Sequence, residues 1–360
     1  MPHLFEPLQL RGLTLRNRIV VSPMCQYSCN EGFANDWHFV HLASRAVGGA
    51  GLVFTEAAAV TADGRISPED LGIWDDVHAG PFERIGRFVR GEGAAFGMQL
   101  AHAGRKGSTR RPWDGTGAVS PEEGGWQPSG PTATPFADNY PVPRMMTRDD
   151  IVEVIDAFRR AAYRARRVGF DVVEVHAAHG YLIHEFLSPL SNTRTDQYGG
   201  SFDNRIRLCV EVVEAVRGVW PDDRPLFVRV SATDWTEGGW DIEQAVELAR
   251  RLRALGVDLV DCSSGGNVPN ARIPLGPGYQ VPFAERIRRD AAIPTGAVGL
   301  ITQPAEADAI VRGGQADLVL LARELLRDPY WPLRAARELG HEVSWPSQYL
   351  RAAPPHSPGR

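Results

Sequence analysis

The stretch His176-Ala177-Ala178-His179-Gly180-Tyr181 places two imidazoles and a phenol within six residues, directly after the β-branched run that starts at Val172. On a strand, side chains alternate between faces, so Val172, Glu174 and His176 share one face and His176 ends it. His179 and Tyr181 follow within one turn. Two imidazoles and a phenol that converge can grip a polar oxygen and deliver a proton. His176, His179, His184 and Glu185 are also metal-ligand types, which opens a second reading as a metal-dependent barrel hydrolase. Their spacing is not H-E-x-x-H, and no carboxylate sits between the histidines to act as base, so we expect no metal here.

Other reactive types also close short apolar runs. Ser22-Pro23-Met24-Cys25-Gln26-Tyr27 follows the first, Gln99 to Lys106 the third, and Arg229 lies in the fifth. Ser263-Ser264-Gly265-Gly266 closes the sixth, Gly296 to Gly299 the seventh, and Ala322-Arg323 the eighth. Gly-rich turns present backbone N–H groups to anions, and an Arg can clamp a phosphate with two hydrogen bonds, so the last two turns point to phosphate. Cys25 is read either as a reactive thiol or as a small buried apolar residue.

The elements that must position these groups are eight strands: Ile19 to Ser22, Leu52 to Ala57, Ala95 to Leu100, Val172 to His176, Leu226 to Ser231, Leu259 to Ser263, Thr295 to Val298 and Leu318 to Leu321. Helical stretches separate them. Thr147 can cap a helix whose apolar residues Ile151, Val154, Phe158, Ala161 and Ala165 follow the 3.6 period, and Asp241 to Leu255 repeats the scheme. Gly169, Gly256 and Gly314 each stand where a helix ends before a strand. This alternation predicts an α/β fold of the (β/α)8 TIM-barrel type, whose active site forms where the strands end. A doubly wound sheet is disfavoured, because the tight cluster Gly48-Gly49-Ala50-Gly51 precedes a strand, whereas a dinucleotide fingerprint must follow one. Ser108 to Met145 holds 12 Gly or Pro in 38 residues, too many for a regular element, and reads as a long loop inserted after the third strand, a lid. Residues 1–345 are expected to form one barrel and 346–360 a C-terminal tail, whose Pro-rich end is expected to fray.

Composition narrows the function classes. Lys plus Arg is 39 against 44 for Asp plus Glu, a formal charge of −5 with no like-charge run, so a nucleic-acid partner is not expected. The 43% hydrophobic and 23% charged content is that of a globular chain with material for a sizeable core. No apolar run reaches membrane-span length, and residues 1–11 lack the features of a signal peptide. Four cysteines without a C-x-x-C pair suit a reduced compartment. Together these predict a cytoplasmic protein.

As a set, Ser22 to Tyr27, His176 to Tyr181, Asp196-Gln197-Tyr198-Gly199-Gly200-Ser201 with Asn204-Arg205, and Ala297-Val298-Gly299 with Ala322-Arg323-Glu324 resemble the Old Yellow Enzyme family of flavin ene-reductases over about residues 4–351. Cys25 and the His/His pair look like its bacterial, thermophilic-like subclass. The resemblance implies non-covalent FMN and NADPH or NADH as hydride donor. Ser22, Pro23, Met24 and Cys25 would edge the flavin, joined by Ala57, Gln99, Ser264 and Gly265. Arg229 would face the flavin N1/O2 edge, and Gly299, Ala322 and Arg323 would hold the phosphate. His176 and His179 would bind the carbonyl or nitro oxygen of an activated alkene, Tyr181 would protonate it, and Tyr27 would line its pocket. Cys25 would tune the site without being required for hydride transfer. Gln348-Tyr349-Leu350-Arg351 looks like the tail that crosses a subunit interface, so that Arg351 would act in the neighbour's site of a homodimer or homotetramer. In one departure, Ala322 replaces the usual Gly, and its turn must keep φ negative. Iron–sulfur relatives are excluded for want of ligands, since no Cys lies beyond Cys262. A flavin-binding redox sensor working through Cys25 is the third reading.

Overall fold

In the computed structural model, which describes residues 2–355 and Pro358, eight parallel strands close into a barrel. They are β1 (Ile19–Val21), β2 (Leu52–Ala59), β3 (Ala95–Ala101), β4 (Val172–Ala177), β5 (Leu226–Ser231), β6 (Leu259–Ser263), β7 (Thr295–Ala297) and β8 (Leu318–Leu321). Each pairs with the next in sequence, and β8 returns to β1 through Leu320 opposite Val20. All eight strands of the expected TIM barrel are present, with ends within two residues of those read from the apolar runs. The strands are buried on both faces, because helices wrap the outside and side chains fill the inside.

Inside, Val20, Leu52, Phe54, Val172, Phe227, Leu259 and Leu320 form one packed layer. A short antiparallel hairpin, Leu8–Leu10 with Leu13–Leu15, adds Leu10 and Leu15 to that layer. This hairpin was not among the expected strands, although alternating leucines around Arg11-Gly12 carry its signal.

Local chemistry sets the helices as expected. The Thr147 hydroxyl accepts from Asp150 N–H while the Asp150 carboxylate accepts from Thr147 N–H at 2.7 Å, starting α1 (Arg148–Val168). Asp241 accepts from Gln244 N–H at 2.9 Å and starts α2 (Ile242–Ala254). Gly169 takes φ +89°, Gly256 +84° and Gly314 +68°, the left-handed turn that returns each helix towards its strand.

The loop from Ser108 to Met145 is tied down along its length. Trp126 Nε1 donates to Asp63 O at 2.8 Å, and Arg65 lies 4.8 Å over its indole. Arg194 donates to Pro131 O and Met146 O at 3.1 and 2.8 Å, so the loop is a docked cover. In the tail, Ser347–Ala352 forms a tight helical turn. The fraying expected at its end concerns His356, Ser357, Gly359 and Arg360, which lie outside the described residues. Among the described residues, no helix is long and apolar enough to cross a membrane.

Candidate active site

Above the apolar layer, the same inward positions turn polar. Gln99 Nε2 donates to Glu174 Oε1 at 2.8 Å, and Arg229 Nε lies 3.0 Å from Asp261 Oδ2. That ion pair is close but poorly aligned, so neither atom counts as hydrogen-bonded and both keep polarity to spend. Burial raises Glu174 to about 8, with Asp261 adding and Arg229 opposing; burial likewise raises Asp261 to about 6. Glu174 is thus held as a neutral acid beneath the site.

His176 ends β4 at the barrel mouth, and the expected convergence is present. Its Nε2 lies 3.3 Å from His179 Nδ1, and the Tyr181 ring packs edge-on at 5.1 Å from its own. Ala178 N–H donates to His176 Nδ1, which assigns the His176 proton to Nε2. His179 Nε2 lies 2.7 Å from Ser263 Oγ. Burial first, then the Arg229 guanidinium, hold both imidazoles far below the ordinary histidine range, so both are neutral at pH 7. Burial, with Cys25 next, pushes Tyr181 well above the ordinary phenol range, so it keeps its proton.

The other two ligand types of the hydrolase reading point elsewhere. His184 Nε2 lies 3.0 Å from Asp234 Oδ1, and Glu185 Oε1 accepts from Arg105 N–H at 2.8 Å. Neither His184 nor Glu185 therefore joins the histidine pair.

The turn after β1 carries Cys25 and Tyr27, the latter in left-handed backbone at φ +48°. Glu56 of β2 fixes it by accepting from Gln26 N–H at 2.8 Å while His38 Nε2 bonds its other oxygen at 2.9 Å. Burial, with Asp70 and Glu56 adding, pushes the Cys25 thiol well up, so it is a thiol rather than a thiolate.

At the other end lies a cavity of about 190 Å³ whose lining includes Ser22, Arg229, Ser263, Gly299, Ala322 and Arg323. Gly299 takes φ +122°, and a Cβ there would sit 3.2 Å from Gln280 N, so only glycine suits this wall. Ala322 keeps its φ negative, at −105°, which meets the requirement set by its departure from glycine. The buried Ser22 hydroxyl has no hydrogen-bond partner. A glycine-walled turn and an arginine at one cavity fit the phosphate end of FMN, and the unpartnered Ser22 hydroxyl fits another polar group of the same cofactor. Pro23 and Met24 lie beside Ser22 in the turn after β1, and Ala57 stands opposite Gln99 in the β2–β3 register.

Not every expected residue joins this cavity. Ser264 is held by Gln280 Oε1 at 2.6 Å and by Trp235 Nε1 at 2.9 Å, and Gly265 N–H by Thr233 O at 2.8 Å. Ser263, Tyr279, Gln280 and Arg327 line it instead. Arg351 is exposed on the tail turn. The residue that sequence reasoning missed most plainly is Lys106, whose Nζ donates to His179 O at 2.7 Å and lies 5.4 Å over the Tyr181 ring. Its sequence signal was slight, one of two adjacent basic residues in the turn after β3.

Comparison with known proteins agrees with this geometry. Residues 3–342 match the NADH:flavin oxidoreductase / NADH oxidase family. The chain is 52% identical over 350 residues to an NADPH dehydrogenase of Geobacillus thermodenitrificans, covering 97% of this chain and 98% of the relative. It is 50% identical over 351 residues to the NADPH dehydrogenase of Bacillus licheniformis, covering 97% and 98%. Among solved structures, morphinone reductase in complex with tetrahydroNAD superposes with TM-score 0.79 at 29% identity, over 96% of this chain and 93% of that one. An Old Yellow Enzyme homologue from Zymomonas mobilis gives 0.79 at 27% identity, over 94% and 93%. The chain belongs to the NADH:flavin oxidoreductase / NADH oxidase family and is an oxidoreductase of the Old Yellow Enzyme type, working with FMN and a nicotinamide dinucleotide.

Proposed function

We propose that this protein reduces the activated C=C bond of α,β-unsaturated carbonyl or nitro compounds, with NADPH as the favoured reductant. The observation that carries the reading is a pair of neutral imidazoles packed beside a phenol that keeps its proton at the barrel mouth. Bound FMN supplies hydride chemistry. The chain's own work is to hold the substrate and to protonate it.

His176 Nε2–H is the donor for a substrate oxygen. Its present bond to His179 is long at 3.3 Å, and a carbonyl oxygen is a better acceptor. A neutral donor stabilises the charge that grows on that oxygen during hydride addition without trapping a resting anion. Tyr181 then gives its hydroxyl proton to the α-carbon. Tyr27 lines the pocket, and Cys25 borders it as a thiol. Arg229, Gln99 and Ser22 hold the flavin from below, with Pro23, Met24 and Ala57 along its edge. Gly299, Ala322 and Arg323 take the phosphate.

Residues 1–345 make the catalytic barrel, and the tail from 346 reaches a second copy in a homodimer or homotetramer. Supporting this, a cavity of about 650 Å³ beside Cys25 is lined by Trp37, Val40, Trp113 and Leu326, apolar side chains left 45–61% exposed. Arg351, exposed on its own barrel, would enter the neighbour's site there. The free state of all four cysteines accords with a cytoplasmic setting.

The test is an anaerobic visible spectrum of the purified protein before and after NADPH, then after cyclohexenone. A flavin band that bleaches with NADPH and returns with the enone is the expected outcome. A band that bleaches but never returns with enones, maleimides or nitroalkenes overturns the alkene assignment.

A further inference from the structure

We infer that Lys106 is a positioning residue for this reaction: its ammonium pins the turn that carries His179 and Tyr181 to the turn after β6, and joins both to the lid. The inference rests on the ene-reductase reading for its chemistry and on the following geometry for its mechanics.

Lys106 ends the tight turn Gly104–Lys106 after β3. Its Nζ donates to His179 O at 2.7 Å and, by a still shorter bond, to Gly266 O. The two turns it joins touch backbone to backbone. A Cβ at Gly180 would lie 2.2 Å from Gly266 O, and one at Gly266 would lie 2.6 Å from His179 Cα. His179 (φ +62°), Gly180 (+71°), Gly265 (+69°) and Gly266 (+90°) are all left-handed. For His179 that conformation is unfavourable and must be imposed from outside. Two carbonyl oxygens brought to one point also repel each other. An ammonium between them removes the repulsion and holds the strained turn in place.

The remaining faces of the ammonium meet aromatic rings. Phe136 of the lid lies 4.2 Å away and Tyr181 5.4 Å away, each within the range of cation–π attraction. No carboxylate of the described residues pairs with Lys106. Thus the charge that fixes the His179 carbonyl also steadies the proton donor's ring and receives the cover. Arg105, Glu185, His176 and His179 are the charged or titratable groups around it, with Tyr181 and the lid's Tyr140 facing the same space. Burial, then Arg105, lower its pKa to about 7, with Glu185 opposing. The pin is therefore in place below pH 7 and weakens above it.

The test measures both half-reactions of the FMN-loaded enzyme by stopped flow from pH 5.5 to 9. For Lys106→Met we expect retained FMN and reoxidation by cyclohexenone slowed on the order of 10- to 100-fold at pH 6, the scale of a small misplacement of reacting groups. Wild-type reoxidation should fall as pH rises through about 7. That fall should vanish in Lys106→Met and move upward in Lys106→Arg, which a merely structural role would not produce. Phe136→Leu, which removes only the lid's ring, should lose a few-fold. A wild-type enzyme that never reoxidises with enones defeats the ene-reductase reading before any variant is made. With wild-type turnover present, a Lys106→Met enzyme within threefold of wild type at pH 6 overturns the pin. If Lys106→Met loses FMN, Lys106→Arg decides: an unshifted basic limb overturns the inference and an upward shift supports it.

Discussion

The turns after β7 and β8 leave their cation accessible, whereas the ends of β3 and β4 bury their ionisable groups and drive them towards neutrality. Arg323 is exposed beside the cavity it lines. His176, His179 and Tyr181 all lie in their uncharged forms, and Lys106 is pulled down to about 7. On the proposed function, the contrast follows from what each end would handle. A phosphate is anionic at all times, so a standing cation binds it. An alkene's oxygen acquires charge only during reaction, and a neutral, preset donor rewards that moment without stabilising the substrate equally.

The sharpest way to break this comparison is at the neutral end. Tyr181→Phe should keep FMN and its reduction by NADPH while slowing reoxidation by cyclohexenone about 10²- to 10⁴-fold, the usual worth of a positioned acid. Single-turnover absorbance would report it, and reoxidation at the wild-type rate would show that another group gives the proton. At the charged end, Arg323→Ala should leave the chemistry intact and weaken FMN by about 10- to 100-fold, the loss of charge-assisted hydrogen bonds of roughly 1.5–3 kcal/mol. Fluorescence titration of the apoprotein measures this.

Two smaller effects sharpen the picture. Because Cys25 is a protonated thiol, Cys25→Ser should change kcat by only a few-fold, and complete inactivity with FMN bound would contradict that. Beneath the lid, burial raises Glu185 to about 8. Its folded pKa exceeds the unfolded value near 4.3, so its stabilising effect is complete below about pH 4 and is lost as pH climbs through 8. Glu185→Gln keeps the neutral form and the acceptor for Arg105 N–H. Its Tm relative to wild type should therefore rise by about 2–4 °C between pH 5 and pH 9. A constant offset would mean that the carboxyl is not held protonated.

Much of the framework was legible because it rests on short-range rules. The alternation of Val172, Glu174 and His176 puts an apolar side chain, a carboxyl and an imidazole at successive depths along β4. Residues such as Gly169 and Thr147 mark where helices stop and start. What escaped depends on backbone conformations that propensity does not encode. His179 and Tyr27 are left-handed without being glycine, and that choice decides which nitrogen faces Ser263 and which oxygen meets Lys106. Glu56 was hidden for a different reason. In sequence it sits inside an apolar strand, and only the fold brings it to Gln26, His38 and Cys29. Ser264 and Ser263 differ by one residue, yet pleat and turn send the second towards the cavity and leave the first with Gln280 and Trp235.

The seam between β8 and β1 has a consequence for biosynthesis. Ile19 has its partner in Val319, so the first barrel strand to leave the ribosome waits for the last. Until then the nascent sheet carries two open edges, and closure is a long-range event of the kind that slows folding. Chaperone demand during synthesis should therefore be set by the arrival of residues 318–321 rather than by the rest of the barrel.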